Sequence, residues 1–230
     1  QHGTSRRQRQ MCIRDRHLWV FNTIPVCINS YIIFSYNKFM YKKTCLGLFL
    51  FLCGSSLASD RIIEIDISEQ RLYLYKNKSL EASYPISTSK YGEGSIENSY
   101  KTPLGEHVIK EKIGDNAPIN TIFKSRIDTK RTADITHEKI DTPNDYVTSR
   151  ILWLDGLEPG VNKGKGIDSF SRYIYIHATQ EEGLIGLKAS DGCIRMFNAD
   201  VIELYDLVKI GTKVTICLLY TSDAADEKYR

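Results

Sequence analysis

A two-residue rhythm over residues 61 to 88 does most to limit what this chain can fold into. Arg61-Ile62-Ile63-Glu64-Ile65-Asp66-Ile67 alternates apolar and polar side chains, and Arg71-Leu72-Tyr73-Leu74-Tyr75 repeats the period. Successive side chains of a strand point to opposite faces, so this spacing fits half-buried strands and not helices, whose apolar positions recur every three or four residues. Asn77-Lys78 supplies a turn into a third run, Leu80 to Thr88, and the three runs are expected to form an antiparallel meander. Later strands are predicted at His107–Ile113, Ser149–Leu154, Arg172–His177 and Lys213–Ile216, with loops marked by Gly92, Gly94, Pro103, Pro118, Pro143, Gly160, Gly164 and Gly166. One helix is predicted, with Asn198 as N-cap, Val201, Ile202, Leu204, Tyr205 and Leu207 near helical spacing, and Gly211 as its stop. The fold class is therefore mainly β, a β-rich sandwich with few short helices.

The ends of the chain read differently from its middle. Residues 40 to 58 begin with Lys42-Lys43, continue through a short apolar run and finish on the small-x-small step Ser56-Leu57-Ala58, the pattern of a secretory signal peptide cut after Ala58. A lipoprotein anchor at Cys53 is the competing reading, but the preceding Leu52 is bulky where a small residue is wanted. Residues 1 to 16 and 217 to 230 resemble translated sequencing-adapter read-through, which makes 17 to 39 translated upstream DNA before a start at Met40. A membrane-anchoring extension is the alternative for 17 to 39, although Asn22, Asn29 and Asn37 interrupt every run near the ~20 residues a span needs. Residues 59 to 216 remain, long enough for one domain with its own core.

Removing the flanks reverses the sign of the charge. The whole chain is +3, with 31 Lys and Arg against 28 Asp and Glu, but residues 59 to 216 hold 21 basic and 24 acidic residues. A nucleic-acid partner asks for a concentrated basic surface, which this stretch lacks. Of the six cysteines only Cys193 falls within 59 to 216, so an intrachain disulfide is not expected in the exported domain.

Ser190-Asp191-Gly192-Cys193-Ile194-Arg195 lies downstream of Tyr173-Ile174-Tyr175-Ile176-His177-Ala178-Thr179 and carries the chemistry. A thiol with an ordinary pKa near ~8.5 is mostly protonated at neutral pH, and an imidazole that takes its proton or pairs with the thiolate makes it a nucleophile. Cys193 and His177 are the candidate catalytic residues. Gly192 suits a tight turn and a close approach of substrate to the main chain, where an acyl oxyanion can rest on N–H groups. Ser190 is expected to hold that turn by hydrogen bonds. Arg195, two residues past the thiol, would share its side of an extended segment and could grip a substrate carboxylate with its planar fork of donors, or else pair with Asp200 or Glu203.

These motifs resemble the YkuD family of L,D-transpeptidases, whose signature is a histidine, a gap of this size, then Ser-His-Gly-Cys, an aliphatic residue and Arg. Ser99-Tyr100-Lys101-Thr102-Pro103-Leu104-Gly105 is similar to the family's Thr-Pro-x-Gly segment, and Ile185-Gly186 takes the usual place between histidine and cysteine. The chain departs at Asp191, where the family most often has His, and at Ala178, where it has Gly. The resemblance implies the YkuD-like β-sandwich, with His177 as the base and the following backbone carbonyl orienting its ring. It implies cleavage between the third and fourth residues of a peptidoglycan stem tetrapeptide, an acyl group held on Cys193, and transfer to an amine that forms a 3-3 cross-link or attaches a protein. Two alternatives stay open: an L,D-carboxypeptidase or amidase that hydrolyses the acyl-enzyme, and a non-catalytic peptidoglycan-binding module. The expected partners are peptidoglycan stem peptides and, as acyl acceptor, a wall-attached protein, with no stable membrane span in the mature form. The expected location is the periplasm or the cell-wall side of a bacterial inner membrane.

The other polar residues read more plainly. His107 and His137 are expected to be surface or strand residues, Glu181-Glu182 a solvated acidic pair, and no metal or cofactor is expected. Tyr91-Gly92-Glu93-Gly94-Ser95 lacks the third glycine and following helix of a phosphate loop.

Overall fold

The computed structural model describes residues 61–218. The expectations for the signal peptide at 40 to 58, the extension at 17 to 39 and the segment 1 to 16 lie outside the described residues, as does all but Cys217 and Leu218 of the segment 217 to 230. The predicted meander is present: β1 (Arg61–Asp66), β2 (Arg71–Lys76) and β3 (Ser79–Pro85) pair antiparallel in sequence. After it come β4 (Gly105–Ile113), β5 (Thr121–Lys124), β6 (Ile127–Thr132), β7 (Val147–Gly156), β8 (Tyr175–Ala178), β9 (Ile194–Met196), the helix α1 (Asn198–Leu207) and β10 (Lys213–Cys217). The strand order is β3-β2-β1-β10-β4-β7-β5-β6, and β8 joins β7 on one side and β9 on the other. The domain is mainly β.

Burial follows the alternation. Ile63 and Ile65, Leu72 and Leu74, Val214 and Ile216 fill the main core, and Val201, Leu204 and Tyr205 lay one stripe of α1 on it. β7 is buried on both faces, so it reads as a continuous apolar run, as interior strands do. Its Leu152 and Leu154 enter the main core, while Ile151 and Trp153 point the other way into a second cluster with Phe123 and Tyr175. Trp153 stacks on Phe170 with ring centroids 4.0 Å apart. The candidate residues sit beside this second cluster.

Four details correct the expectations. Strands β5, β6 and β9 were not expected, and the strand predicted from Arg172 starts only at Tyr175 because the segment before it is coiled into turns, with Tyr173 at φ +58°. Asn198 is the first residue of α1 and not its cap: Phe197 holds the cap position, and the Glu182 carboxylate accepts from both the Asn198 backbone N–H and its Nδ2 at 2.8 Å. A carboxylate there faces the positive end of the helix. Cys217 is the buried last residue of β10, register partner of Asp66, so Cys193 shares the described domain with a second cysteine. No helix among the described residues is long and apolar enough to cross a membrane.

Candidate active site

Alternation along β8 and β9 chooses the face on which the candidate residues meet. Ile176, Ala178, Ile194 and Met196 point into the main core, which turns Tyr175, His177 and Arg195 to the opposite face, with Cys193 on their side just ahead of β9. The two strands run parallel, Ile176 beside Ile194 and His177 beside Arg195. Cys193 is thus level with Tyr175, whose N–H reaches Sγ at 3.4 Å. The thiol in turn donates to the Tyr173 carbonyl at 3.3 Å, a contact set up by the left-handed backbone of Tyr173.

His177 is 2% exposed, and its Nδ1 lies 2.7 Å from the Ala178 carbonyl. A carbonyl only accepts, so Nδ1 carries the hydrogen and Nε2 is left as the basic nitrogen. The Tyr175 ring stands edge-on to the imidazole, centroids 6.4 Å apart. Burial pushes the His177 pKa down to about 4; Asp145 and the Ala178 carbonyl work against that shift and Arg195 works with it. Burial likewise pushes the Cys193 thiol up to about 12, helped by Asp145 and opposed by the Tyr175 N–H, Arg195 and Arg172. The free site holds a neutral thiol and a neutral imidazole.

The turn before the thiol is built by hydrogen bonds. Gly192 adopts φ +115°, and a Cβ there would lie 3.3 Å from the Lys101 carbonyl. Thr102 Oγ1 donates to the Gly192 carbonyl at 3.0 Å, which packs the Ser99–Gly105 segment against the turn before Cys193. Ser190 is fully buried, donates from Oγ to the Cys193 carbonyl at 2.6 Å and receives the Gly192 N–H at a long 3.3 Å. Its backbone joins Thr88 and Lys90. Asp191 is exposed and lies 3.3 Å from Lys90 Nζ, which also holds Asp141 at 3.4 Å.

Arg195 is buried at 2% exposure and pairs with neither Asp200 nor Glu203. Its Nη1 donates to Glu181 at 2.9 Å and its Nη2 lies 2.6 Å from Asp145. Glu181 and Glu182 are therefore not a solvated pair. Glu181 is fully buried against Arg195 and Thr142, and Glu182 caps α1. His107 is a strand residue and buried, with Nδ1 2.9 Å from the Gly105 carbonyl and Nε2 2.9 Å from Ser169 Oγ. His137 is exposed, 3.6 Å from Glu182.

Sequence reasoning missed Asp145, Arg172 and Tyr173. Arg172 donates to the carbonyls of Lys101 at 2.7 Å and Gly94 at 3.3 Å and lies close enough to favour the Cys193 thiolate. Position in the chain gave none of the three away. Glu181 had one faint signal, an acid on the strand-end side of a predicted site histidine.

Residues 60–216 match the model of the YkuD family, the L,D-transpeptidase catalytic domain. The chain belongs to this family. Among its relatives is a Bacillus licheniformis protein named "Putative L,D-transpeptidase YkuD", 49% identical over 155 residues that cover 67% of this chain and 64% of that one. A Bacillus subtilis protein of the same name is 53% identical over 49 residues, 21% of this chain and 30% of that one. The aligned parts thus span less than two thirds of either relative. A solved structure, L,D-transpeptidase 3 from Mycobacterium tuberculosis with a faropenem-derived adduct, aligns over 68% of this chain and 60% of its own at 17% identity and a TM-score of 0.43. In this YkuD-family domain Ala178 keeps the carbonyl that orients the histidine, although it replaces glycine.

Proposed function

We propose that the chain is a cysteine-dependent L,D-transpeptidase acting on peptidoglycan stem tetrapeptides outside the cytoplasm, where the signal-like segment 40 to 58 would send it. The parallel pairing of β8 and β9 carries this reading, because it sets His177 and Cys193 on one face with the basic Nε2 free of the backbone. Since the resting thiol is neutral, His177 acts as a general base during attack. Nε2 takes the Cys193 proton as Sγ bonds to the carbonyl carbon of the third stem residue, and N–H groups of Gly192 and Cys193 receive the oxyanion. The imidazolium then gives that proton to the nitrogen of the departing fourth residue, leaving a thioester. An acceptor amine loses a proton to His177 and displaces the thiolate, forming the 3-3 amide or a protein attachment. Ser190 holds the turn and Arg195 meets a substrate carboxylate.

Incubating the chain with purified muropeptides and following mass tests the reading. Cross-linked dimers are expected; trimmed monomers would make it a hydrolase, and bound, unchanged substrate a wall-binding module. Turnover that survives Cys193→Ala, or the lack of a carbapenem adduct on Cys193, would overturn the mechanism.

A further inference from the structure

We infer that the side edge of the Arg195 guanidinium is a receptor for the terminal carboxylate of the leaving amino acid, and that Asp145 is a detachable stand-in holding half of it. The inference rests on the tetrapeptide reading above and names the group that reading uses to choose its substrate.

The two carboxylates on Arg195 are not alike. Glu181 is 1% exposed at its side chain, and its other oxygen accepts from the Thr142 N–H at 2.7 Å and the Thr142 hydroxyl at 2.6 Å. It is fixed. Asp145 is 39% exposed and sits in a segment, residues 138 to 145, that is exposed at every position but Thr142. The backbone on either side of Asp145 is held, the Asn144 carbonyl and the Tyr146 N–H by Gln180 and the Thr142 N–H by Glu181, so what can leave Nη2 is the exposed side chain of Asp145 alone.

The guanidinium has donors left over. Nε–H and Nη2 share its side edge, and a carboxylate seated squarely there takes both in parallel. Asp145 lies against Nη2 with one oxygen, while Nε is buried and has no hydrogen-bond partner among the described residues. A buried charged donor without a partner is costly enough to need an explanation. A ligand carboxylate that takes Nε and displaces Asp145 from Nη2 supplies one.

Position identifies which carboxylate. Arg195 lies two strand residues from Cys193, about 7 Å along the chain, on the same face. A tetrapeptide places its free α-carboxylate one residue beyond the carbonyl that Cys193 attacks, within reach of the long arginine side chain. A fifth residue or a terminal amide would remove that charge and leave Nε unpaired, so Arg195 with Asp145 selects for a free acid at the fourth position.

The test uses the full chain carrying Cys193→Ala, so that binding is read without acylation, and compares by calorimetry a stem tetrapeptide with its C-terminal amide. The acid is expected to bind about tenfold tighter. Asp145→Ala and Asp145→Asn should strengthen binding of the acid by roughly a further tenfold and leave the amide unchanged, because they remove only the competitor. Arg195→Lys should erase the preference. An acid-to-amide ratio that Asp145→Ala and Asp145→Asn leave unchanged overturns the inference, even if the chain with Cys193 intact turns the tetrapeptide over. Failure of that chain to bind or convert either peptide would overturn the functional reading and the inference together.

Discussion

Asp191 stands two residues before Cys193, the proposed nucleophile, where the family usually has histidine, and its surroundings decide what that replacement does. The carboxylate is exposed and shares Lys90 with Asp141, whereas the acid that disfavours the Cys193 thiolate is Asp145. An exposed ion pair contributes about 1 kcal/mol or less. Asp191→Asn should therefore change the rate of carbapenem acylation less than about fivefold, measured by mass against time, and a change well beyond that would place Asp191 in the chemistry. Gly192→Ala should act more strongly. The backbone there is at φ +115°, and the new methyl meets the carbonyls of Lys101 and Tyr100 at 3.3 and 3.4 Å. A loss of roughly 1–3 kcal/mol is expected, with the turn displaced and acylation slowed at least tenfold; a thermal melt and the same acylation assay check both. At this scale the sequence singled out Cys193, His177 and Gly192, because a proposed nucleophile, base and turn need those residue types at short spacing, and the structure brings the three to one face of β8 and β9. The sequence was silent on Asp145, whose partner lies on a strand formed far along the chain.

Gly183 shows how one element positions another. It is the middle residue of the short 3-10 turn Glu182–Leu184 between β8 and β9, and a Cβ there would fall 2.1 Å from the Glu138 carbonyl and 2.5 Å from that of His137. Gly183→Ala must push the segment 136 to 146 outward, breaking the Gly183 N–H bond to the Thr136 carbonyl and moving Asp145 with it. Backbone atoms cannot give way like a flexible side chain, so a loss of about 1–3 kcal/mol in denaturant unfolding is expected; an unchanged midpoint would show that the segment is not held there. Two hairpins explain which elements were legible. The turn between β2 and β3 places Asn77 and Lys78 at φ +51° and +66°, and asparagine advertises that geometry. The turn between β5 and β6 has Ser125 and Arg126 at +49° and +69°, but neither residue type signals a left-handed pair. Arg126 is retained there by its contacts, over the Trp153 ring at 4.8 Å and donating to Tyr175 Oη at 3.2 Å. β9 was invisible for another reason: three residues are too few to show a period.

Across the described domain, two neutral histidines are buried, one at the site and one on β4, and together they tie the fold to pH. Free histidine titrates near ~6.5, but burial holds both His177 and His107 neutral down to about 4. Between those values the unfolded chain binds more protons than the folded one, so stability is full above about pH 6.5 and falls as pH drops toward 4. Each histidine accounts for roughly 3 kcal/mol once both forms are protonated. His107 bonds the Gly105 carbonyl and Ser169 through its ring, outside the chemistry, and His107→Gln separates the two contributions. The variant should be less stable than the parent at pH 7, where it loses that packing, yet its unfolding free energy should fall only about half as steeply between pH 6.5 and 4. Urea unfolding at pH 7, 5.5 and 4 measures both slopes, and carboxylates that titrate in the same range cancel in the comparison. Equal slopes would mean that His107 takes up its proton as readily in the folded protein as in the unfolded chain, with Ser169 Oγ then accepting from its ring.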